Sequence, residues 1–167
     1  MMSTNVQAIP ERYKAATPYL AVNGAARAIE FYKQAFGAVE TMRFAGPDGR
    51  VMHAEVMIGA APVMLTDECP EMGFRSPEAL GGSPVNLYVY VEDVDALAER
   101  AVAAGATVLQ PVGDRFYGDR SVQLKDPFGH VWSFATHIED VPQDELERRS
   151  KAFMAEHAKE HAKEHAV

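Results

Sequence analysis

The residues best equipped for chemistry in this chain are His53 and Glu55, in the segment MHAEVMIG (Met52 to Gly59). Two positions apart on a strand, they project from one face. An imidazole beside a carboxylate can move protons or contribute to a metal site. They are the candidate catalytic pair if that face looks into a cavity. The favoured reading is that they face solvent or a partner subunit, or make an ordinary hydrogen bond, because Ala54, Val56 and Ile58 make the opposite face the more apolar one. His130 follows Gly129 in a tight turn, where a structural or exposed role is expected, and His137 ends a strand, where it would cap or contact a loop. His157, His161 and His165 recur at i, i+4, i+8 as one helical stripe. Neighbouring pairs could take a transition ion, but the repeated AKEH reads more simply as a solvated charged helix. Cys69 lies in the acidic loop DECPE, a poor setting for a nucleophilic cysteine. There is no GxSxG elbow, P-loop or GxGxxG fingerprint.

The elements that must carry these residues follow from turn signals and periodicity. Thr17 to Val22 reads as a strand, and Ala25 to Phe36 has apolar residues at helical spacing, closed by Gly37. Val39 to Phe44, Val51 to Ile58 and Val63 to Thr66 read as strands, the first two joined by the turn Gly46-Pro47-Asp48-Gly49. Glu68 to Ser83, rich in Pro, Gly, Glu and Ser, reads as a linker or mobile loop.

The order then repeats. Val85 to Val91 is a strand, Val94 to Ala104 a helix with Asp93 as N-cap and Gly105 as stop, and strands follow at Thr107 to Gln110, Arg120 to Lys125 and Val131 to His137. Val22 and Val91 differ by 69, Gly37 and Gly105 by 68, and Gly59 and Gly129 by 70. A near-constant offset through turn, helix end and hairpin marks an internal repeat. The expected fold is therefore α+β: two tandem β-α-β-β-β modules. The division is an N-terminal arm (1–14), module one (15–68), a linker loop (69–83), module two (84–140) and a C-terminal helical extension (141–167).

Composition bounds the function. With 167 residues and 47% apolar content the chain can bury a core. A net charge of −8, without a Lys/Arg cluster, argues against nucleic acid as a partner. No apolar run approaches the roughly 18 residues of a membrane span, so no membrane partner is expected. The start carries no basic segment followed by an apolar core, and Cys69 is the only cysteine, so a reducing cytoplasm is the expected setting.

The repeat, the YGDR segment (Tyr117 to Arg120) and DPFGHVWSFATH (Asp126 to His137) together resemble the glyoxalase/bleomycin-resistance, or vicinal oxygen chelate, superfamily. MHAEVMIG, GDR and DPFGHVW are most similar to its PhnB-like branch. The resemblance spans roughly residues 15–140. It implies modules whose sheets curl around a central cavity, a homodimer, and in many members a divalent metal held by His, Glu or Gln from the first and last strand of each module. Those positions fall here on Thr17, on Val63 or Met64, on Asn86 and on Ser133. None is His, Glu or Asp, so no metal ligands are assigned and a divalent cofactor is disfavoured.

The cavity-facing residues are then expected to bind a ligand instead. Tyr19, Asn86, Tyr88, Arg120, Trp132 and Ser133 are the candidates, with phenol, amide and aromatic groups suited to a small polar or aromatic molecule. The tyrosines would serve equally as core residues, and Arg120 as a salt-bridge partner of Asp119 rather than a carboxylate or phosphonate clamp. The expected function is small-molecule binding between the modules without a metal. The alternative is a metal-dependent lyase, isomerase or dioxygenase using a displaced site at His53 and Glu55. A third reading, a structural dimer with a collapsed cavity, would draw on the eight methionines as core filler.

Overall fold

A computed structural model describes residues 6–164, with side chains through residue 159. Two four-stranded sheets form, each with the same internal order. In the first, β1 (Tyr19–Val22), β4 (Ala61–Asp67), β3 (Val51–Ile58) and β2 (Val39–Ala45) lie side by side. In the second the order is β5 (Asn86–Tyr90), β8 (Val131–His137), β7 (Asp119–Lys125) and β6 (Thr107–Asp114). The β1/β4 and β5/β8 pairs are parallel and all others antiparallel. The second sheet thus repeats the first with every strand number raised by four, which is the repeat expected from the sequence offsets. Helix α1 (Ala25–Phe36) crosses over the first sheet and α3 (Val94–Ala104) over the second, each stopped by a left-handed glycine, Gly37 or Gly105. The Asp93 side chain caps α3 by accepting from the Ala96 amide at 2.9 Å.

Residues 69–83 are more ordered than a mobile loop. A 3-10 turn at Pro70–Met72, a bridge between Cys69 and Phe74, and the short helix α2 (Pro77–Leu80), capped by Ser76, occupy the segment. The extension forms α4 (Gln143–Glu164). It is anchored at its start, where the Arg149 guanidinium clamps Glu139, and along one side, where Phe153 lies between Phe116 and His157. Of the histidine stripe only His157 can be placed; the side chain of His161 and all of His165 lie outside the described residues.

One apolar core serves both modules. The helix-facing residues of the first sheet (Leu20, Val22, Ala54, Val56, Ile58, Val63, Leu65) join Leu87, Val122, Leu124, Trp132 and Phe134 of the second. Tyr32 and Phe36 of α1 cross the boundary and pack on Trp132 and Phe134. The boundary is tied by the turn after β7. Asp126, 3% exposed, accepts from the Phe128 and His130 amides through Oδ1, and from Trp132 Nε1–H and the Tyr32 hydroxyl through Oδ2. His130 Nε2–H donates to the Ala21 carbonyl of β1 at 3.1 Å, so this turn histidine is buried and structural. Burial and the Asp126 charge push the Tyr32 phenol well up, which keeps it a donor.

The YGDR segment has a separate task. Gly118 has φ 97°, and a Cβ there would meet the Glu139 carbonyl, so the position requires glycine. Its carbonyl accepts from the Ile138 and Glu139 amides, holding the chain after β8 against the start of β7. Beside it Asp119, 3% exposed, accepts from Tyr90 at 2.6 Å and pairs with His137 Nδ1 at 2.8 Å.

Two expectations follow. Asp126→Asn keeps the shape but leaves a donor facing donors, so it should cost about 2–4 kcal/mol in urea unfolding, and Tyr32→Phe about 1–2 kcal/mol. The hydrogen bonds and charges of Asp119 and Asp140 raise the His137 pKa above its ordinary 6.5. Stability from this raised group is fully present below the ordinary value and is lost as pH climbs through the folded-state value. A histidine NMR titration should therefore give a His137 midpoint above 6.5, falling toward it in Asp119→Asn.

Candidate functional site

Strand alternation divides the candidate residues between two faces. On β8, Trp132 and Phe134 point into the core, and Trp132 is 0% exposed. Trp132 is therefore a core residue bonded to Asp126, not part of an open ligand-binding face. Arg120 leaves β7 on the opposite side from Asp119. Its guanidinium forks onto Asp95 at 2.7 and 2.8 Å and reaches Asp114 at 2.7 Å. The expected pairing with Asp119 is absent because neighbours on a strand face opposite ways. Arg120 ties α3 to the β6–β7 hairpin.

The open face of the second sheet carries Asn86, Tyr88, Tyr90, Ser133 and the Asp119–His137 pair. Asn86 Nδ2 donates to Ser133 Oγ at 3.1 Å. The Tyr88 hydroxyl lies 3.4 Å from Asp119, and its ring sits 5.5 Å from that of Tyr90. Burial works to raise the Asp119 pKa, but the hydrogen bonds from Tyr90 and His137 outweigh it and hold the carboxyl below its ordinary value. Asp119 thus stands as an anion already satisfied by its own neighbours.

The open face of the first sheet is organised differently. The register sets Tyr19 opposite Met64 on β4, and Met64 opposite Glu55 on β3. Tyr19 reaches across β4 so that its hydroxyl lies 2.8 Å from His53 Nδ1. His53 Nε2 lies 3.2 Å from Glu55 Oε1. The N-terminal arm closes the chain of bonds: Tyr13 donates to Glu55 Oε2, and Arg12 Nη1 stands 3.8 Å from it. Glu55 is only 8% exposed. The Tyr13 hydrogen bond, helped by His53 and Arg12, holds its carboxyl below the ordinary value against the opposing effect of burial. Burial raises the Tyr19 phenol, which stays protonated.

Tyr19 also forms part of the wall of a cavity of about 550 Å³. Met52, Met72, Phe74, Pro47 and Val51 supply apolar lining, and Arg50, Asp67 and Glu68 polar edges. The Phe74 ring packs 5.1 Å from that of Tyr19. Asp67 is committed elsewhere, accepting from the amides of Gly24, Ala25 and Val51. All lining residues fall between Tyr19 and Phe74, so this cavity belongs to module one and the linker rather than to the space between modules. Nothing in the sequence signalled Tyr13, whose arm lacks any periodic pattern. Phe74 was obscured by the Gly and Pro around it.

The positions where the resemblance implies metal ligands carry side chains that do not fit a metal. Thr17 precedes β1, Met64 offers a lone thioether, and the Asn86 amide and Ser133 hydroxyl satisfy each other. These are neutral, weak donors for a divalent transition ion. Among the described residues no three His, Cys, Asp or Glu side chains converge as a ligand group. Among the described residues no helix is long and apolar enough to cross a membrane.

Comparison with known proteins agrees with the architecture. An uncharacterized protein of Mycobacterium tuberculosis is 46% identical over 136 residues, covering 80% of each chain. The crystal structure of TioX from Micromonospora sp. ML1 is 28% identical, covers 74% of this chain and 100% of that one, and superposes with a TM-score of 0.58. A structure from Bacillus cereus described as a putative 3-demethylubiquinone-9 3-methyltransferase, PhnB protein, shares the fold at 20% identity, covering 74% of this chain and 99% of that one, with a TM-score of 0.56. Residues 14–134 match the Glyoxalase/Bleomycin resistance protein/Dioxygenase superfamily, and with its duplicated four-stranded modules the chain belongs to that superfamily.

Proposed function

We propose that this protein binds a small, largely apolar or aromatic molecule carrying one hydrogen-bonding group, in the module-one cavity and without a metal. The observation that carries this reading is the cavity itself. Its volume of about 550 Å³ lies in the range of small-molecule sites, and its apolar wall of methionine and phenylalanine carries the Tyr19 phenol and the polar edges of Arg50, Asp67 and Glu68. Thioethers adapt to flat or irregular apolar ligands, and Tyr19 supplies direction. Within the superfamily we place the chain in the PhnB-like branch, on the motifs MHAEVMIG, GDR and DPFGHVW. We assign it to the cytoplasm, as a homodimer. Exposed Met42 and Phe44 on the first sheet, and Tyr88 and Tyr90 on the second, are the kind of apolar surface that a twofold partner covers.

The alternative, a metal-dependent lyase, isomerase or dioxygenase built on His53 and Glu55, has less support. Both ring nitrogens of His53 are engaged, by Tyr19 and Glu55, and the second Glu55 oxygen by Tyr13. A metal would have to break at least two of these bonds.

A thermal-shift screen of aromatic metabolites and antibiotics should yield stabilising ligands, since one present at 100 times its dissociation constant adds about 2.7 kcal/mol. Tyr19→Phe should weaken the best of them by roughly 2- to 10-fold, the worth of one hydrogen bond, and Met52→Lys should abolish binding by placing a charge in the apolar wall. A screen without hits, or full binding by Met52→Lys, contradicts the assignment. Equilibrium dialysis against Zn, Ni and Mn should show no stoichiometric uptake that disappears in His53→Ala; such uptake would favour the metal-dependent reading.

A further inference from the structure

We propose that Tyr19, His53 and Glu55 form a metal-independent proton relay whose working end is the Tyr19 oxygen in the cavity wall, so that the site takes weakly acidic ligands, phenols or enolisable carbonyl compounds, and removes their proton. The proposal rests on the cavity being the ligand site and adds a chemistry to it.

The three groups lie in line. The Tyr19 oxygen is 2.8 Å from Nδ1, and Nε2 is 3.2 Å from Glu55 Oε1. An ionised carboxylate only accepts hydrogen bonds, so His53 must carry its proton on Nε2. In the neutral ring Nδ1 then presents a lone pair to the phenol, which donates to it. Glu55 is kept ionised by Tyr13 and His53, with Arg12 nearby. It is therefore a positioning residue: it selects the imidazole tautomer and balances the charge that forms there. The same division of labour, with a base oriented by a third group, recurs wherever a hydroxyl is activated by an imidazole. Neighbouring rings restrict the imidazole. Tyr19 meets it edge-on at 5.4 Å and Phe44 stacks on it at 6.4 Å.

The step balances without an oxidant. A ligand X–H gives its proton to the Tyr19 oxygen as the phenolic proton passes to Nδ1. The X–H electron pair stays on the ligand, leaving a phenolate or enolate, and His53 becomes an imidazolium bonded to Glu55. Because the Tyr19 phenol stays protonated at rest, it passes the proton on rather than storing a charge. While the proton stays on the protein the ligand is held as its anion, and return to the same atom on release makes the site a binder only. Return to a different atom completes an isomerisation.

Two readouts test this on the full chain. Side-chain ¹⁵N NMR should find His53 as the Nε2–H tautomer, and Glu55→Gln should lose that preference. An Nδ1–H tautomer in the wild type overturns the relay. The second probe is 4-nitrophenol, whose phenolate is coloured. Bound to the wild type it should read about tenfold more ionised than free at the same pH, a shift of about one pKa unit, and bound to His53→Gln no more ionised than free. Binding to the wild type without the colour change overturns the relay and leaves the cavity reading intact. Failure of 4-nitrophenol to bind up to its solubility overturns the assignment of phenols to this site. A bound phenol that ionises equally in His53→Gln overturns the role of the imidazole.

Discussion

The buried carboxylate of Asp126 is the polar tie between the two modules, set within the apolar core they share. Burying a charge is costly unless its oxygens are satisfied, and here four donors converge on it. Three come from its own turn and strand. The fourth, Tyr32, comes from the helix of the other module. The same turn sends His130 to the β1 carbonyl of Ala21 and sets Phe128 against Phe31 and Tyr32. The short DPFGH sequence therefore does more than reverse the chain: it latches module two onto both the helix and the first strand of module one.

With the helix-bearing faces of both sheets merged into one core, the outer faces carry the polar side chains. Duplication has left the two outer faces unequal. On the second sheet the polar groups are paired among themselves: Asn86 with Ser133, and Asp119 with Tyr90 and His137. On the first sheet the polar chain ends at a phenol that borders a cavity, while its far end is fixed by the arm through Tyr13.

Much of this was legible in the sequence, and what was not has identifiable causes. The repeat survived translation into strand order because turn glycines and hairpin signals are local. Helix α1 is closed by Gly37, and α3 is bounded by Asp93 and Gly105, for the same reason. Trp132 and Arg120 were misplaced by one step of alternation: an aromatic or an arginine beside a candidate residue on a strand necessarily faces the other way. The tie of Asp126 to Tyr32 spans 94 positions and leaves no local trace. The joining of Tyr19 to His53 and of Tyr13 to Glu55 was equally invisible, because both rest on register between non-adjacent segments. The linker seemed loose from its Gly and Pro content, but its glycines close a 3-10 turn and a helical turn, and its Phe74 seals the cavity against Tyr19.

The superfamily fold here carries a hydrogen-bonded Tyr-His-Glu chain whose tyrosine also lines a cavity with two methionines in its wall. The most direct test of that account is ligand mapping by NMR with ¹³C-methyl methionine, which reports on the eight methionines individually. Titration with a stabilising aromatic ligand should move Met52 and Met72, which line the cavity, and leave Met154 on α4 unmoved. Shifts confined to methionines outside the cavity, with Met52 and Met72 unchanged, would contradict it.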